Sequence, residues 1–395
     1  MKKRIAVLLA AMILLTLVAG CGTTTGAGTG DKKGGEILIG GDFEMSGAAA
    51  TFGQSSVNGI NLAFKEINAS GGVLGKQLKL LVADNKSEPG ESTVAATKLI
   101  TQDKVVAVLG AVASSDTLAA VQVAGDNKIP LLSPTSTNPK VTVDPDTKQV
   151  RPYIFRACFI DPFQGEVAAN FAWDQLKAKS AAVYIDQKSD YSQGLANVFM
   201  DVFKKKGGTI TTVEKYVAAQ DKDFRSTLTR IKGTNPDMIF VPGYYNEVGL
   251  IVKQARELQM KLPIVGGDGW DSSELVKIGG ADNLNNTYFV NHVATDDPTV
   301  QTFVKNYKAA YNQEPDALAV LAYDAANILA EAIKNAGSTD GSKIRTALEN
   351  IKDFNTLSGK TSIDPKTHNP IKPAVVLENK DGQKVFKVKI NPTQQ

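Results

Sequence analysis

Short apolar runs alternate with amphipathic stretches of helical period along most of the chain after residue 36. Apolar runs rich in Val, Ile and Leu, separated by helices, are typical of a parallel sheet covered by helices. The first predicted strands and the helices between them are 37–40, 55–68, 78–83, 92–102, 105–110, 117–125 and 130–133. The pattern therefore predicts an α/β fold.

The alternation restarts near residue 181 and predicts a second sheet. Its predicted strands are 181–186, 211–216, 238–242, 264–266 and 288–291, and its predicted helices are 194–205, 299–311 and 316–336. The chain has 395 residues, more than the roughly 250–300 that one hydrophobic core usually spans. We therefore expect two lobes with a cleft between them.

The N-terminus has the layout of an export signal. Basic residues at 2–4 precede an apolar run over 5–18, which is shorter than the roughly 20 residues of a membrane-spanning helix. Residues 17–21, which end in Cys21, resemble the bacterial lipobox, whose cysteine is lipidated and becomes the mature N-terminus. The alternative is an ordinary signal peptide followed by a chance cysteine.

We expect a signal peptide at 1–20, a lipid anchor on Cys21 and a flexible tether at 21–35. The tether is glycine-rich and polar and has nothing to bury. A lipidated Cys21 leaves Cys158 without a disulfide partner, so we expect Cys158 to be a small buried residue. The membrane is then contacted only through the lipid.

Charge and motifs exclude several classes of function. The chain has 44 basic and 41 acidic residues, and the signal carries three of the basic ones, which leaves 41 against 41. This balance does not favour nucleic-acid binding. We find no phosphate loop, dinucleotide fingerprint, zinc motif or nucleophile elbow, and the two histidines, His292 and His368, have no metal-ligand spacing. No cofactor or metal is expected.

Hydroxyl-rich turns follow two of the predicted strands, at the place where ligands bind in open α/β sheets. The first contains Ser114, Ser115 and Asp116 at the start of a predicted helix, whose N-terminus can hold a carboxylate. Ser115 or Asp116 is expected to cap the helix, and Ser114 to donate to a ligand. The second turn, at 133–139, could present hydroxyls and a carbonyl, or be an ordinary polar turn.

Seven segments in register resemble the leucine/isoleucine/valine-binding family of solute-binding proteins, which serve ABC importers. The segments are 40–53, 68–75, 113–115, 133–139, 190–194, 243–245 and 267–271. The resemblance implies the type I periplasmic-binding-protein fold, with two Rossmann-like lobes and a three-segment hinge. The hinge crossings are then expected near Ala157, His292 and Phe354.

The resemblance also implies the division of the chain between the lobes. Lobe 1 is expected to comprise 36–157 and 292–354, and lobe 2 to comprise 158–291 and 355–395. The cleft between them is expected to close over one ligand.

In the family pattern, three residues of the second turn and Ser114 form the first-lobe half of the site. The hydroxyls of Ser114 and Thr137 and the Thr137 amide would bind the ligand carboxylate, and the Thr135 carbonyl the ligand ammonium, with Ser136 in the same turn. Phe52 stands where the family often has an aromatic wall, although a core position is an equal alternative.

Tyr191, Tyr244 and Asp268 would close on the ligand from the second lobe, with Asp268 pairing the ammonium. The tyrosines could instead cover helix starts, and Asp268 could be a turn residue. Trp270 is expected near the ligand side chain, or else in the core. Leu318 replaces an aromatic pocket residue of some relatives, which leaves the ligand side chain open.

The implied function is an extracytoplasmic solute-binding lipoprotein, a monomer that binds a branched-chain or similar amino acid and delivers it to ABC permease subunits. The alternative is a sensor of the same fold for an amide, urea or aromatic acid, although Asp268 would repel an anionic ligand. A hydrolase using Ser114 or Ser136 is also conceivable. Neither serine has an evident histidine base, so we do not expect an enzyme.

Overall fold

The computed structural model describes residues 34–392. The predicted signal peptide, Cys21 and nearly all of the tether lie outside this range. The strands are β1 (Glu36–Phe43), β2 (Gln77–Asp84), β3 (Ala107–Gly110), β4 (Leu131–Ser133), β5 (Ile154–Arg156), β6 (Ser180–Asp186), β7 (Thr209–Tyr216), β8 (Met238–Phe240), β9 (Ile264–Gly266), β10 (Thr287–Asn291), β11 (Phe354–Thr356), β12 (Gly359–Thr361), β13 (Ala374–Lys380) and β14 (Gln383–Ile390).

Eleven α-helices connect these strands within the described range. They are α1 (Ala50–Ala69), α2 (Pro89–Thr97), α3 (Ser114–Asp126), α4 (Asp161–Asp174), α5 (Asp190–Lys205), α6 (Arg225–Gly233), α7 (Tyr245–Glu257), α8 (Ser273–Gly279), α9 (Gln301–Tyr311), α10 (Ala317–Ala336) and α11 (Gly341–Glu349). Between residues 34 and 392, no helix combines the length and the apolar character needed to cross a membrane.

The first lobe is built on a parallel five-stranded sheet in the order β2-β1-β3-β4-β5. Neighbouring residues of β3 point to opposite faces: Val108 packs in the cluster formed with α2 and α3, and Leu109 in the cluster formed with α1 and α10. Burial of both faces explains the nearly continuous apolar strand. The predicted parallel α/β lobe is confirmed.

The second lobe has seven strands in the order β14-β13-β10-β9-β8-β6-β7. The five strands from β10 to β7 are parallel, and β13 and β14 add an antiparallel hairpin at the other edge. The sequence pattern did not predict this hairpin, because β14 is mostly exposed and lacks an apolar run.

The chain passes between the sheets in three places, after β5, after β10 and before β13. Helices α9 to α11, which follow β10, pack with α1 on the first sheet. The ribbon of β11 and β12 also contacts α10, and Asp324 of α10 accepts hydrogen bonds from the Leu357 and Ser358 amides. The exact lobe boundaries stay a prediction.

Several helix ends differ from the predicted ones for local reasons. Helix α5 begins at Asp190 because the Ser189 hydroxyl accepts a hydrogen bond from the Ser192 amide. Residues 98–102, predicted as the end of an α-helix, form a π-helical turn. Helix α10 is capped by Asp316 at its start and ends at Gly337 in the left-handed conformation.

Helices α1 and α10 approach each other closely at Gly59. A Cβ atom on Gly59 would lie 2.3 Å from the Ala319 carbonyl oxygen. This contact leaves no room for a side chain, so the packing of the two helices depends on glycine at this position.

We expect Gly59→Ala to lower the free energy of unfolding by about 2 kcal/mol, since the helices must move apart to admit the methyl group. Urea unfolding of the ligand-free protein measures this change. Gly90→Ala is the control, because Gly90 is an exposed helical residue with open space at its Cβ position. Equal unfolding free energies for the two variants would contradict the close contact.

Candidate functional site

A small cavity lies between the two lobes. The lining residues come from the ends of strands and the starts of helices in both lobes: Phe52, Val112, Ser114, Thr135, Thr137, Tyr191, Tyr244, Asp268, Gly269 and Leu318.

The first-lobe wall consists of the two turns that follow β3 and β4. Ser114 is the first residue of α3, and its hydroxyl oxygen accepts a hydrogen bond from the Asn138 amide at 3.3 Å. The Thr135 hydroxyl donates to the Val112 carbonyl at 3.1 Å. These bonds fix the two turns against each other, so that both present polar groups to one cavity.

The helix cap predicted at Ser115 or Asp116 is wrong. Ala113 occupies the N-cap position, without a side-chain cap bond. The Ser115 hydroxyl instead bonds to Asp190, and Asp116 is buried behind the turn. Strand β3 ends at Gly110, as predicted, but the helix begins at Ser114, three residues before its predicted start.

Glu44 holds the first turn from behind and was not predicted as part of the site. Its buried carboxylate accepts hydrogen bonds from the amides of Val112 (3.1 Å) and Ala113 (2.9 Å). Burial raises the pKa of Glu44. Burial and the charge of Glu44 raise the pKa of Asp116 to about 10, so Asp116 keeps its proton at neutral pH.

In the second lobe, Asp268 is held at both carboxylate oxygens. The Gln164 side-chain amide donates to Oδ1 at 2.8 Å, and the His292 Nε2 atom lies 2.8 Å from Oδ2. The His292 ring stacks on Phe159 with a centroid distance of 3.8 Å. Asp268 therefore has a fixed orientation and keeps lone pairs for a cation in the cavity.

Two stacked tyrosines form the neighbouring part of the wall. The rings of Tyr191 and Tyr244 lie 5.3 Å apart at 11°. The Tyr191 hydroxyl oxygen accepts a hydrogen bond from the Gly269 amide, and Phe52 approaches Tyr244 edge-on at 6.0 Å. Burial raises the pKa of both tyrosines, so both rings are neutral.

Seven of the nine predicted ligand-binding residues meet in this cavity, and two do not line it. The Ser136 hydroxyl bonds to the Thr117 hydroxyl at 2.6 Å, behind the turn. Trp270 is fully buried, and its indole N–H donates to the Val241 carbonyl at 3.0 Å. The part that the seven play in ligand binding stays a prediction.

The lobes also contact each other directly on one side of the cavity, at Asp190. The Asp190 amide donates to the Ser115 hydroxyl at 3.1 Å, and its carboxylate pairs with Lys140 at 2.9 Å. The Asn138 side chain donates to the Asp190 carbonyl at 2.7 Å. All three partners belong to the first lobe.

A second set of direct contacts surrounds Asp271 of the second lobe. Its Oδ2 atom accepts a hydrogen bond from the Ala317 amide at 2.7 Å, at the N-terminus of α10 in the first lobe. Lys384 and Asn291 bind the same carboxylate, and the Lys384 charge is one cause that lowers the pKa of Asp271 against the effect of its burial. The negative charge thus faces a helix N-terminus, which favours the contact.

Comparisons with known proteins agree with this architecture. The Leu/Ile/Val-binding protein BraC3 of Rhizobium johnstonii is 33% identical over 329 residues, which cover 83% of this chain and 87% of that protein. The branched-chain amino acid transporter substrate binding protein LivJ of Streptococcus pneumoniae, solved with isoleucine, is 39% identical with a TM-score of 0.83. That alignment covers 90% of this chain and 99% of the other.

A more distant structure has a different ligand. The solute binding protein of an ABC transporter from Rhodopseudomonas palustris, solved with 3,4-dihydroxy benzoic acid, is 25% identical with a TM-score of 0.80 and covers 91% of this chain and 98% of its own. A family profile described as periplasmic binding protein matches residues 36–384. The chain therefore belongs to the Leu/Ile/Val-binding family of type I periplasmic binding proteins.

Proposed function

We propose that the protein binds a branched-chain or similar amino acid in the interlobe cavity and delivers it to an ABC permease. The observation that carries the proposal is the arrangement of the cavity, in which hydroxyls of one lobe face the oriented carboxylate of Asp268 in the other. A zwitterion presents an anion and a cation a few bonds apart, and this cavity offers a partner for each.

The ligand carboxylate would be bound by the Ser114 and Thr137 hydroxyls and by the Thr137 N–H. The ammonium group would be bound by Asp268 and the Thr135 carbonyl. Charges removed from water need hydrogen bonds with groups of this kind, and bonds in which one partner is ionised are the stronger ones.

The remaining lining is apolar or aromatic and favours a hydrocarbon side chain. Phe52, Val112, Tyr244 and Leu318 contribute this surface. Leucine, isoleucine or valine would bury its side chain against these residues, which contributes about 1.5–3 kcal/mol. The BraC3 and LivJ relatives carry names with the same ligand class.

A sensor or carrier of aromatic acids is the second candidate, and the Rhodopseudomonas palustris relative with a bound dihydroxybenzoate favours it. The position of Asp268 speaks against this reading, because an aromatic acid has no ammonium group to neutralise a second carboxylate in the cavity.

Catalysis is not part of the proposal. His292 faces Asp268, and His368 lies between Glu349 and the Ile154 carbonyl. Neither ring makes a hydrogen bond to Ser114 or Ser136 in the described part of the chain. A serine nucleophile would need such a base.

The two lobes would close over the bound ligand by movement about the hinge. The direct contacts at Asp190 and Asp271 join the lobes without lining the cavity. They would stabilise the closed form and slow ligand release, and the closed form would be the one that docks on the permease.

We also propose that the protein is exported and anchored as a monomer at the outer face of the membrane through a lipid on Cys21. The basic and apolar N-terminus and the lipobox-like residues 17–21 support this. The tether at 21–35 would let the lobes reach the permease.

Isothermal titration of the refolded chain lacking residues 1–35 tests the ligand class. We expect stoichiometric binding of Leu, Ile or Val. We expect Asp268→Ala to weaken the binding free energy by about 3 kcal/mol or more, which lowers the affinity at least about 100-fold, because the ligand ammonium loses its charged partner. Asp201→Ala, at an exposed acid, is the control. Absence of binding with all twenty amino acids would reject the zwitterion, and aromatic acids would be tested next.

Ala317→Pro tests the contact at Asp271. Proline is tolerated at the first helical position and lacks the N–H that Asp271 accepts, and Asp316 already has the extended backbone that proline requires before it. We expect about tenfold weaker binding through faster dissociation, measured by stopped flow. Ser273→Pro, at the first position of α8, is the matched control. Unchanged dissociation in Ala317→Pro would show that the contact does not hold the lobes.

Cys21→Ser tests the anchor. In a bacterial host that lipidates such proteins, we expect the unmodified protein to incorporate labelled fatty acid and to sediment with membranes, and the variant to do neither. Cys158→Ala should behave as the unmodified protein, because Cys158 is buried within the fold. Membrane retention of the Cys21→Ser variant would reject the lipid anchor.

A further inference from the structure

Arg156 is a buried cation that forms no ion pair with any residue between 34 and 392. It ends β5, and its side chain is completely inaccessible to solvent. Within residues 34–392, no carboxylate forms a salt bridge with its guanidinium group. A buried charge of this kind is costly, so its place calls for a physical reason.

The guanidinium group binds backbone carbonyls of the second hydroxyl turn. Its Nη1 atom donates to the Ser136 carbonyl at 2.5 Å, and Nη2 donates to the Asn138 carbonyl at 2.7 Å and the Thr142 hydroxyl at 3.3 Å. The two carbonyls flank Thr137, which lines the cavity. Arg156 therefore supports Thr137, which lines the cavity, from the opposite side of the turn.

The Ser136 carbonyl and the Thr137 N–H belong to the same peptide unit. This unit is trans, since the one cis bond of the described range is Gly110–Ala111, and the C=O and N–H of a trans peptide point in opposite directions. The Thr137 N–H thus points away from Arg156. It donates to no acceptor within residues 34–392, which leaves it available to a ligand.

We propose that Arg156 is a positioning residue for the ligand carboxylate, which acts through the Ser136–Thr137 peptide. A cation on the carbonyl side fixes the orientation of the peptide and polarises it, so the N–H on the other side becomes a stronger donor. The positive potential of the guanidinium group also reaches the carboxylate. The inference rests on the proposed function and adds to it a charge that does not touch the ligand.

Neighbouring groups leave this positive charge in place. Burial raises the pKa of Asp161, the nearest buried acid of α4, to about 8, so at neutral pH this carboxyl is mostly protonated. Cys158 also donates to the Ser136 carbonyl, at 3.4 Å, and burial raises the pKa of its thiol to about 12. Cys158 is therefore a neutral donor to the same carbonyl that Arg156 binds.

The test compares two ligands that differ only in the group at issue. L-leucine carries a carboxylate and L-leucinamide a neutral amide, and both carry the ammonium group. Isothermal titration on the full chain, directly or by competition, gives the ratio of their affinities. We expect Arg156→Met to lower the preference for leucine over leucinamide by about 10- to 100-fold, through loss of the positive potential and of the polarised N–H.

Two further variants separate charge from packing. Cys158→Ala removes the neutral donor to the Ser136 carbonyl and should leave the ratio unchanged. Arg156→Lys keeps the charge and loses the forked geometry, so we expect both ligands to bind more weakly, with the ratio kept within about threefold. If Arg156→Met does not fold, Arg156→Lys still tests the proposal. A tenfold fall in the ratio of its affinities for leucine and leucinamide would overturn the proposal.

An equal loss of affinity for leucine and leucinamide in Arg156→Met would also overturn the proposal, because it would show that Arg156 only supports the turn. In that case the proposed amino-acid binding would still stand. Failure of the unmodified protein to bind leucine or any other amino acid would reject the proposed function itself, and the inference with it.

Discussion

Three buried charged side chains hold the walls of the cavity, and the arrangement of the site depends on how their charges are met. Glu44 accepts hydrogen bonds from two backbone amides of the first turn, and Arg156 donates to two backbone carbonyls of the second turn. Asp268 is hydrogen-bonded to Gln164 and His292. Glu44 and Arg156 have no ion-pair partner within residues 34–392, and backbone groups supply most of their hydrogen bonds. The backbone of the turns is thereby fixed.

In the first lobe, the groups that can contact a ligand are separate from the charged groups that hold the turns in place. The groups that can contact a ligand are mostly neutral hydroxyls and amides, and the full charges of the first lobe lie one layer behind them. A neutral lining would cost less to remove from water when the cleft closes than a charged one would. Asp268 is the exception, a carboxylate in the lining itself, and it belongs to the other lobe.

Each lobe supplies half of the polar side chains that line the cavity, so closure and the proposed binding would be linked. Asp190 and Asp271 each place a second-lobe carboxylate against first-lobe donors on the rim of the cleft. Asp271 faces the N-terminus of α10, and the next residue after Ala317, Leu318, lines the cavity. A ligand side chain that displaced Leu318 would disturb this contact between the lobes, so the fit of the side chain and the closed state depend on the same helix end.

Residues at strand ends could be found from the sequence, since parallel strands direct their following turns to one edge of the sheet. Ser114, Thr135 and Thr137 follow this rule and line the cavity. Ser136, between two of them, points to the other side of the turn, and this alternation was not evident before the turn was folded. The partners of Asp268 come from α4 and from the segment after β10, at sequence distances of 104 and 24 residues, so no local pattern could assign them.

The sequence by itself determined the two α/β lobes and the polar turns, because apolar periodicity and the residues that follow a strand are local properties. It also provided the family resemblance, which is carried by several short segments in register. Only the tertiary structure decided which turn residues face the cavity, that Trp270 lies in the core, and that Glu44 and Arg156 support the turns from behind. Those roles depend on side-chain direction and on contacts between distant residues, and these become fixed when the lobes pack.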